Sequence, residues 1–195
     1  STTIVISQVY GGGGNSGATY KNDFIELHNI SSAPVNITGW SVQYIGATTS
    51  TGSYATTALT GTIAAGGYFL VQQAAGTGGT TNLPTPDATG TLALSGTTGK
   101  VALVNSASVY EGAGRTPAPS NTTSVSRLDS GSTDTDNNST DFTAGAPVPR
   151  NSGTTPYIPE AAGAPVISSL TPANGSSGAP VADPLTIVFN KKIVK

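Results

Sequence analysis

Apolar and polar positions alternate along the stretch around which the chain is organised. Asp23-Phe24-Ile25-Glu26-Leu27-His28-Asn29 is followed by a polar turn and then by Pro34-Val35-Asn36-Ile37-Thr38-Gly39-Trp40-Ser41-Val42-Gln43-Tyr44. A period of two is the mark of an extended, half-buried strand. Successive side chains of a strand point to opposite faces. Phe24, Glu26 and His28 therefore share one face, and Ile25 and Leu27 the other. In the second segment Trp40, Val42 and Tyr44 share a face, with Ser41 and Gln43 opposite. Trp40 is the only tryptophan, and an indole brings the largest apolar area of any side chain. It is the expected anchor of a small core, with Phe24, Phe69 and Phe142 around it.

The same pattern places further strands. Thr3 to Tyr10 is β-branched and bounded by four glycines, which predicts the first strand. Gly11 to Tyr20 reads as a flexible glycine loop. It does not read as a phosphate cradle, since no helical pattern follows and no Lys-Ser/Thr pair closes the motif. Ile45 to Leu59 reads as a loop with a weak strand around Ser53 to Leu59. Gly66-Gly67 turns the chain into a buried strand, Tyr68-Phe69-Leu70-Val71-Gln72. Asp87 to Leu94 holds a short strand or a single helical turn. Gly99 to Asn105 is a strand, and Ser124 to Asp129 a later one with Val125 and Arg127 on one face. Thr133 to Phe142 closes the domain.

The motifs Asp23 to Asn29 and Pro34 to Tyr44, then Tyr68-Phe69-Leu70-Val71 after its Gly-Gly turn, then Asp134 to Phe142, come in an order that resembles the lamin-tail domain of secreted bacterial proteins. The resemblance covers most of residues 3 to 150. It implies an all-β, immunoglobulin-like β-sandwich in which Phe142 packs back on the core. One departure leaves the strand count open: Val109-Tyr110-Glu111-Gly112 arrives almost at once after Asn105, where the family has a further strand. From Gly145 the composition turns to Ala, Pro, Gly and Thr. Pro147, Pro149, Pro156, Pro159 and Pro165 predict an extended, semi-stiff linker. Beyond it, Pro165 to Gly175 and Pro184 to Asn190 are similar to the start of a surface-layer-type bacterial Ig-like domain. The expected organisation is a sandwich over 1–146, a linker over 147–165, and over 166–195 a segment that is either truncated or a strand donor. Two strands are fewer than the roughly seven a sandwich needs.

Composition narrows the function. With 9% charged residues and a net charge of -2, the chain lacks the basic balance of a nucleic-acid binder. It has no Cys and no Met. Disulfides are therefore excluded, and the missing initiator Met is what a processed or cloned piece would show. No apolar run approaches the roughly 20 residues of a membrane helix.

Candidate chemistry is sparse. His28 is the only histidine, and no G-x-S-x-G elbow accompanies it. One His without Cys cannot supply the ligands zinc takes. Asp23 and Glu26 have opposite parity, so they do not form a glycosidase carboxylate pair, and Asp23 is expected in a contact with Lys21 or a turn. Asp134, Asp136, Asn138 and Asp141 are the calcium candidates, being hard oxygen donors at near-alternate positions. Ser139 stands where an EF-hand needs Gly, however, and Gly145 stands where it needs Glu. Asx turns explain the same residues. The sequons at Asn29, Asn36, Asn121, Asn138 and Asn174 mark expected exposed turns. No cofactor is expected beyond that calcium.

The resemblance implies a non-catalytic module, extracellular or at the cell surface, that accompanies hydrolases and contacts protein or a surface polymer. The incomplete second segment raises an alternative, a structural subunit that self-associates through its C-terminal strand. An enzyme of unrecognised type is the third reading.

Overall fold

The computed structural model describes residues 3–48, 54–105, 109–110, 114–159, 167–171 and 186–189. The chain divides into two compact units, Ser1–Ile158 and Pro159–Lys195.

In the first unit, strands β1 (Ile4–Tyr10) and β2 (Asn22–Asn29) pair antiparallel. They are followed by the two-residue β3 (Val35–Asn36), β4 (Ser41–Ile45), β5 (Ala55–Ala58), the two-residue β6 (Thr62–Ile63) and the long β7 (Tyr68–Ala75). Then come β8 (Ala88–Thr89), β9 (Lys100–Val104), β10 (Val109–Tyr110), β11 (Ser124–Arg127) and β12 (Phe142–Gly145). One sheet has six strands in the order β12-β11-β1-β2-β7-β8. A second has four, β10-β9-β4-β5, and β3 pairs with β6 separately. Pairing is antiparallel except between β7 and β8. After Asn105, where the strand count was open, Val109–Tyr110 forms the short β10, paired to β9.

The core lies between the two large sheets. Ile4, Ile25, Leu27, Phe69 and Val71 come from one sheet and Val42 and Leu103 from the other, with Ile37, Leu59, Ile63, Leu92 and Leu94 filling the ends. Branched aliphatic side chains suit this space, because they pack on a pleated surface without losing rotamer freedom. The six-stranded sheet is also covered on its other face. There Tyr10, Phe24 and Leu70 form a second buried cluster with Tyr20 and Leu83 against it. The rings of Tyr10, Tyr20 and Phe24 lie 5.6 to 6.3 Å apart. β2 is thus buried on both faces rather than one.

Trp40 shares a face with Val42 and Tyr44, and all three pack on the central core. Trp40 is nevertheless not its anchor. The expected second segment breaks at Ile37–Trp40, where Gly39 takes φ +86° and the Trp40 N–H closes a turn on the Ile37 carbonyl at 3.0 Å. That turn lifts the indole to the rim, half-buried. The filled centre belongs to aliphatic side chains and to Phe69, while Phe24 anchors the opposite face. Phe142 is buried at the edge of the sheet, with the Arg127 guanidinium 4.4 Å above its ring.

Two further expectations change. Gly11–Gly14 is a buried, close-packed crossing rather than a flexible loop. A Cβ at Gly13 would collide with the backbone of Asn22 and Asp23. Asn15 then ties the loop to Asn121 at 3.1 Å. Residues 147–158 are not a spacer either, since they lie across the outer face of the six-stranded sheet as a strap. The segment is irregular and turns at Asn151–Thr154, and side chains on both sides fasten it down. Residues 160–165, the rest of the expected linker, fall outside the described residues. In the second unit, β13 (Ile167–Thr171) pairs antiparallel with β14 (Thr186–Phe189).

Candidate functional site

Two of the ionisable residues singled out in the sequence, Glu26 and His28, lie under the strap. Glu26 is fully buried on the outer face of β2. Its Oε1 accepts from Arg150 Nη2 at 2.7 Å and from the Ser7 hydroxyl at 2.5 Å, and its Oε2 accepts the Arg150 backbone N–H at 2.6 Å. Burial raises the Glu26 pKa above its ordinary value, and Arg150 opposes that rise. The Arg150 guanidinium also lies 4.0 Å above the Tyr68 ring. Tyr68 in turn stacks on His28, with ring centroids 4.3 Å apart and an interplanar angle of 17°.

His28 is fully buried and touches only carbonyls through its nitrogens. Nδ1 lies 3.1 Å from the Gly131 oxygen, and Nε2 lies 2.8 Å from that of Tyr157 and 3.2 Å from that of Gly66. A general base needs its free nitrogen on the proton it abstracts. Here both nitrogens face acceptors, so the arrangement positions backbone rather than a nucleophile.

The turn that supplies the Gly131 carbonyl is strained. Asp129, Ser130 and Gly131 take φ of 51°, 53° and 88°, so three successive residues are left-handed, two of them with side chains. Such conformations persist only where the surroundings hold them. Ser130 O accepts from the Tyr68 hydroxyl at 2.7 Å and from Arg150 Nη1 at 2.8 Å. The Tyr157 hydroxyl donates to Asp129 at 2.6 Å, and this bond, with that of Ser132, lowers the Asp129 pKa. Strap and turn therefore hold each other. At the far end Asn151 donates to the Thr85 carbonyl at 2.9 Å, and the Ser152 hydroxyl donates to Asp87.

Asp23 faces the other way. It is buried on the inner side, and its Oδ2 accepts the Leu94 N–H at 2.9 Å, rather than the expected partner Lys21. Burial pushes its pKa up to about 7, against the backbone amides of Leu94 and Gly13. Its Oδ1 has no hydrogen-bond partner. Asp23 and Glu26 thus lie in separate environments, as their parity requires.

The acidic C-terminal stretch is turned inward on Arg127. Asp134 and Asp141 each lie 3.2 Å from Arg127 Nη1. Asp141 also takes the Thr135 hydroxyl at 2.6 Å and the Thr135 N–H at 2.9 Å. Burial alone would raise the Asp141 pKa, but Thr135 and Arg127 outweigh it and the net shift is downward. Asp136 sits in a left-handed turn, and Asn137 caps a single helical turn, Asn138–Asp141, through Ser139 N–H. Among the described residues no group of three or more His, Cys, Asp or Glu is placed to hold a metal ion. The stretch offered to calcium is organised by a guanidinium and by Asx turns.

Arg150 and Tyr157 were not anticipated from the sequence. One signal for Arg150 was present: Glu26 interrupts an apolar run, and a buried carboxylate demands a cation. Asn29 departs from its sequon reading, being buried and donating to the carbonyls of Ala33 and Ala64 at 2.8 and 3.0 Å.

No curated protein matches the chain. The family model for the Lamin Tail Domain matches residues 1–140, which hold all strands of the two large sheets except β12. With that match and an Ig-like strand arrangement, the chain belongs to the lamin tail domain family.

Proposed function

We propose that the chain is a non-catalytic tethering module of a secreted or surface-attached bacterial protein, accessory to an extracellular hydrolase. Lamin tail domains are Ig-like domains, generally non-enzymatic, whose architecture suits interaction. The observation that carries the reading is the internal engagement of the ionisable residues. Glu26, His28, Arg150 and Asp141 are used to fasten strap, turn and sheet to one another. Among the described residues no helix is long and apolar enough to cross a membrane. The partner is a protein or a cell-surface polymer, and the net charge of -2 disfavours nucleic acid. Incubating the purified chain with isolated cell envelopes and with DNA-cellulose tests this. Retention on envelopes without turnover of nuclease, phosphatase or esterase substrates is expected. Activity that disappears in His28→Ala would overturn it.

A second reading rests on the C-terminal unit. Its described strands, β13 and β14, pair only with each other, and a two-stranded ribbon is marginal alone. Strand addition from another copy would complete it, making a filament subunit. A monomer in size-exclusion chromatography at high concentration removes that reading.

A further inference from the structure

One buried polar group links the two large sheets. Thr57 on β5 and Gln73 on β7 are both buried, and the Thr57 hydroxyl donates to Gln73 Oε1 at 3.1 Å. The same Oε1 accepts the Leu92 backbone N–H at 3.0 Å. Gln73 Nε2, in contrast, has no hydrogen-bond partner. A buried amide NH2 left unpaired is uncommon and calls for an explanation. Gly90 is packed directly over the pair, and a Cβ there would collide with Thr57 Oγ1 and Gln73 Oε1. Asp23, on the strand next to β7, grips the same 92–94 segment through Leu94 N–H and keeps a buried oxygen without a partner.

These parts match those of an acyl transfer. A hydroxyl lies against a carboxamide, an N–H is aimed at the carbonyl oxygen on which negative charge would develop, and water is excluded. The remaining requirement is a group that moves a proton, and Asp23 lies on β2 across from this part of β7, between Asn22 opposite Ala75 and Phe24 opposite Gln72. Its pKa, pushed up to about 7 by burial, suits it to take and return a proton near neutrality.

The geometry points to a self-catalysed ester cross-link between Thr57 and Gln73, joining the two sheets. Thr57 Oγ attacks Cδ of Gln73, and the oxyanion on Oε1 is held by Leu92 N–H. The hydroxyl proton passes through the Asp23 carboxyl to Nε2. The Cδ–Nε2 bond breaks, the Oγ–Cδ bond remains, and ammonia leaves. Nothing is oxidised or reduced, and no co-reactant is needed. The reaction happens once per chain, so it is maturation rather than turnover. It would give a chain without cysteine a covalent tie where a disulfide would otherwise serve, and that tie would restrict the unfolded chain in the same way.

Intact-mass spectrometry of the folded full chain tests it, after incubation at mildly acidic to mildly alkaline pH. The expected mass is that of the sequence less one ammonia, and tandem spectra should join the peptides holding Thr57 and Gln73. Hydroxylamine should separate them. Thr57→Ser keeps the hydroxyl and should still lose ammonia, whereas Thr57→Val should keep the full mass, with circular dichroism reporting whether each folds. A full sequence mass in the unaltered chain overturns the proposal. So does an ammonia loss that persists in Thr57→Val, or one mapped to a succinimide at Asn174-Gly175. Loss that persists in Asp23→Asn overturns the part given to Asp23.

Discussion

Two carboxylates on one strand, Asp23 and Glu26, are both buried and live in opposite circumstances. Glu26 is met by a guanidinium, a hydroxyl and a backbone amide, whereas Asp23 is met only by backbone amides, with Leu94 N–H on its Oδ2 and no group in hydrogen-bond geometry on its Oδ1. Depth does not separate them; the arrival of distant chain does. Glu26 is reached by a strap 124 residues further on, while Asp23 is reached by an extended segment that offers N–H groups and no charge. A buried charge is tolerated where a partner compensates its desolvation, and is otherwise neutralised by taking up a proton.

The strongest way to break the comparison is to remove the partner. Arg150→Ala should destabilise the domain by about 3–5 kcal/mol, because it strands a buried carboxylate, and urea denaturation reads the loss directly. A chain ended at residue 146 should lose at least as much, while one ended at 158 should keep full stability, which also tests where the domain closes. Next in size is the outer apolar cluster, where Phe24→Ala should cost about 3–5 kcal/mol and leave the pH dependence unaltered.

Asp23 sharpens the contrast through pH. Its folded pKa, about 7, lies above the ordinary 3.8. The fold therefore favours the protonated form. The stability this contributes is complete below the unfolded value and lost as pH rises through the folded one. The urea midpoint should fall between about pH 4 and about pH 7 and level off above that, and Asp23→Asn should flatten that fall. The smallest effect belongs to the rim: Trp40→Phe should cost only about 1 kcal/mol, read from the same urea curves by circular dichroism.

The strands were legible because each carries its own period of two. Ile25 and Leu27 face the core as their alternation requires, and the face shared by Trp40, Val42 and Tyr44 is the observed one. What local pattern could not show was cover. The alternation in Asp23–Asn29 reads as one wet face, yet Glu26 and His28 lie beneath residues whose proline content suggested a spacer. Trp40 has the size of an anchor but not the position of one, since Gly39 beside it turns the chain at φ +86°. The two-residue strands β3, β6, β8 and β10 leave too few positions for any period to register. The acidic stretch from Asp134 offered the donor atoms of a calcium loop, but ligand spacing alone could not reveal that Asp134 and Asp141 pair with Arg127.

The strap has a mechanical consequence. It ends at Tyr157, whose backbone N–H donates to Gly66 O at 2.7 Å and whose carbonyl meets His28. Tension applied to the chain after Ile158 reaches these few contacts before it reaches any sheet ladder. They would yield one after another, like a seam, from Tyr157 back toward Arg150, and the peptide released would lengthen the chain beyond the fold while both large sheets stayed whole.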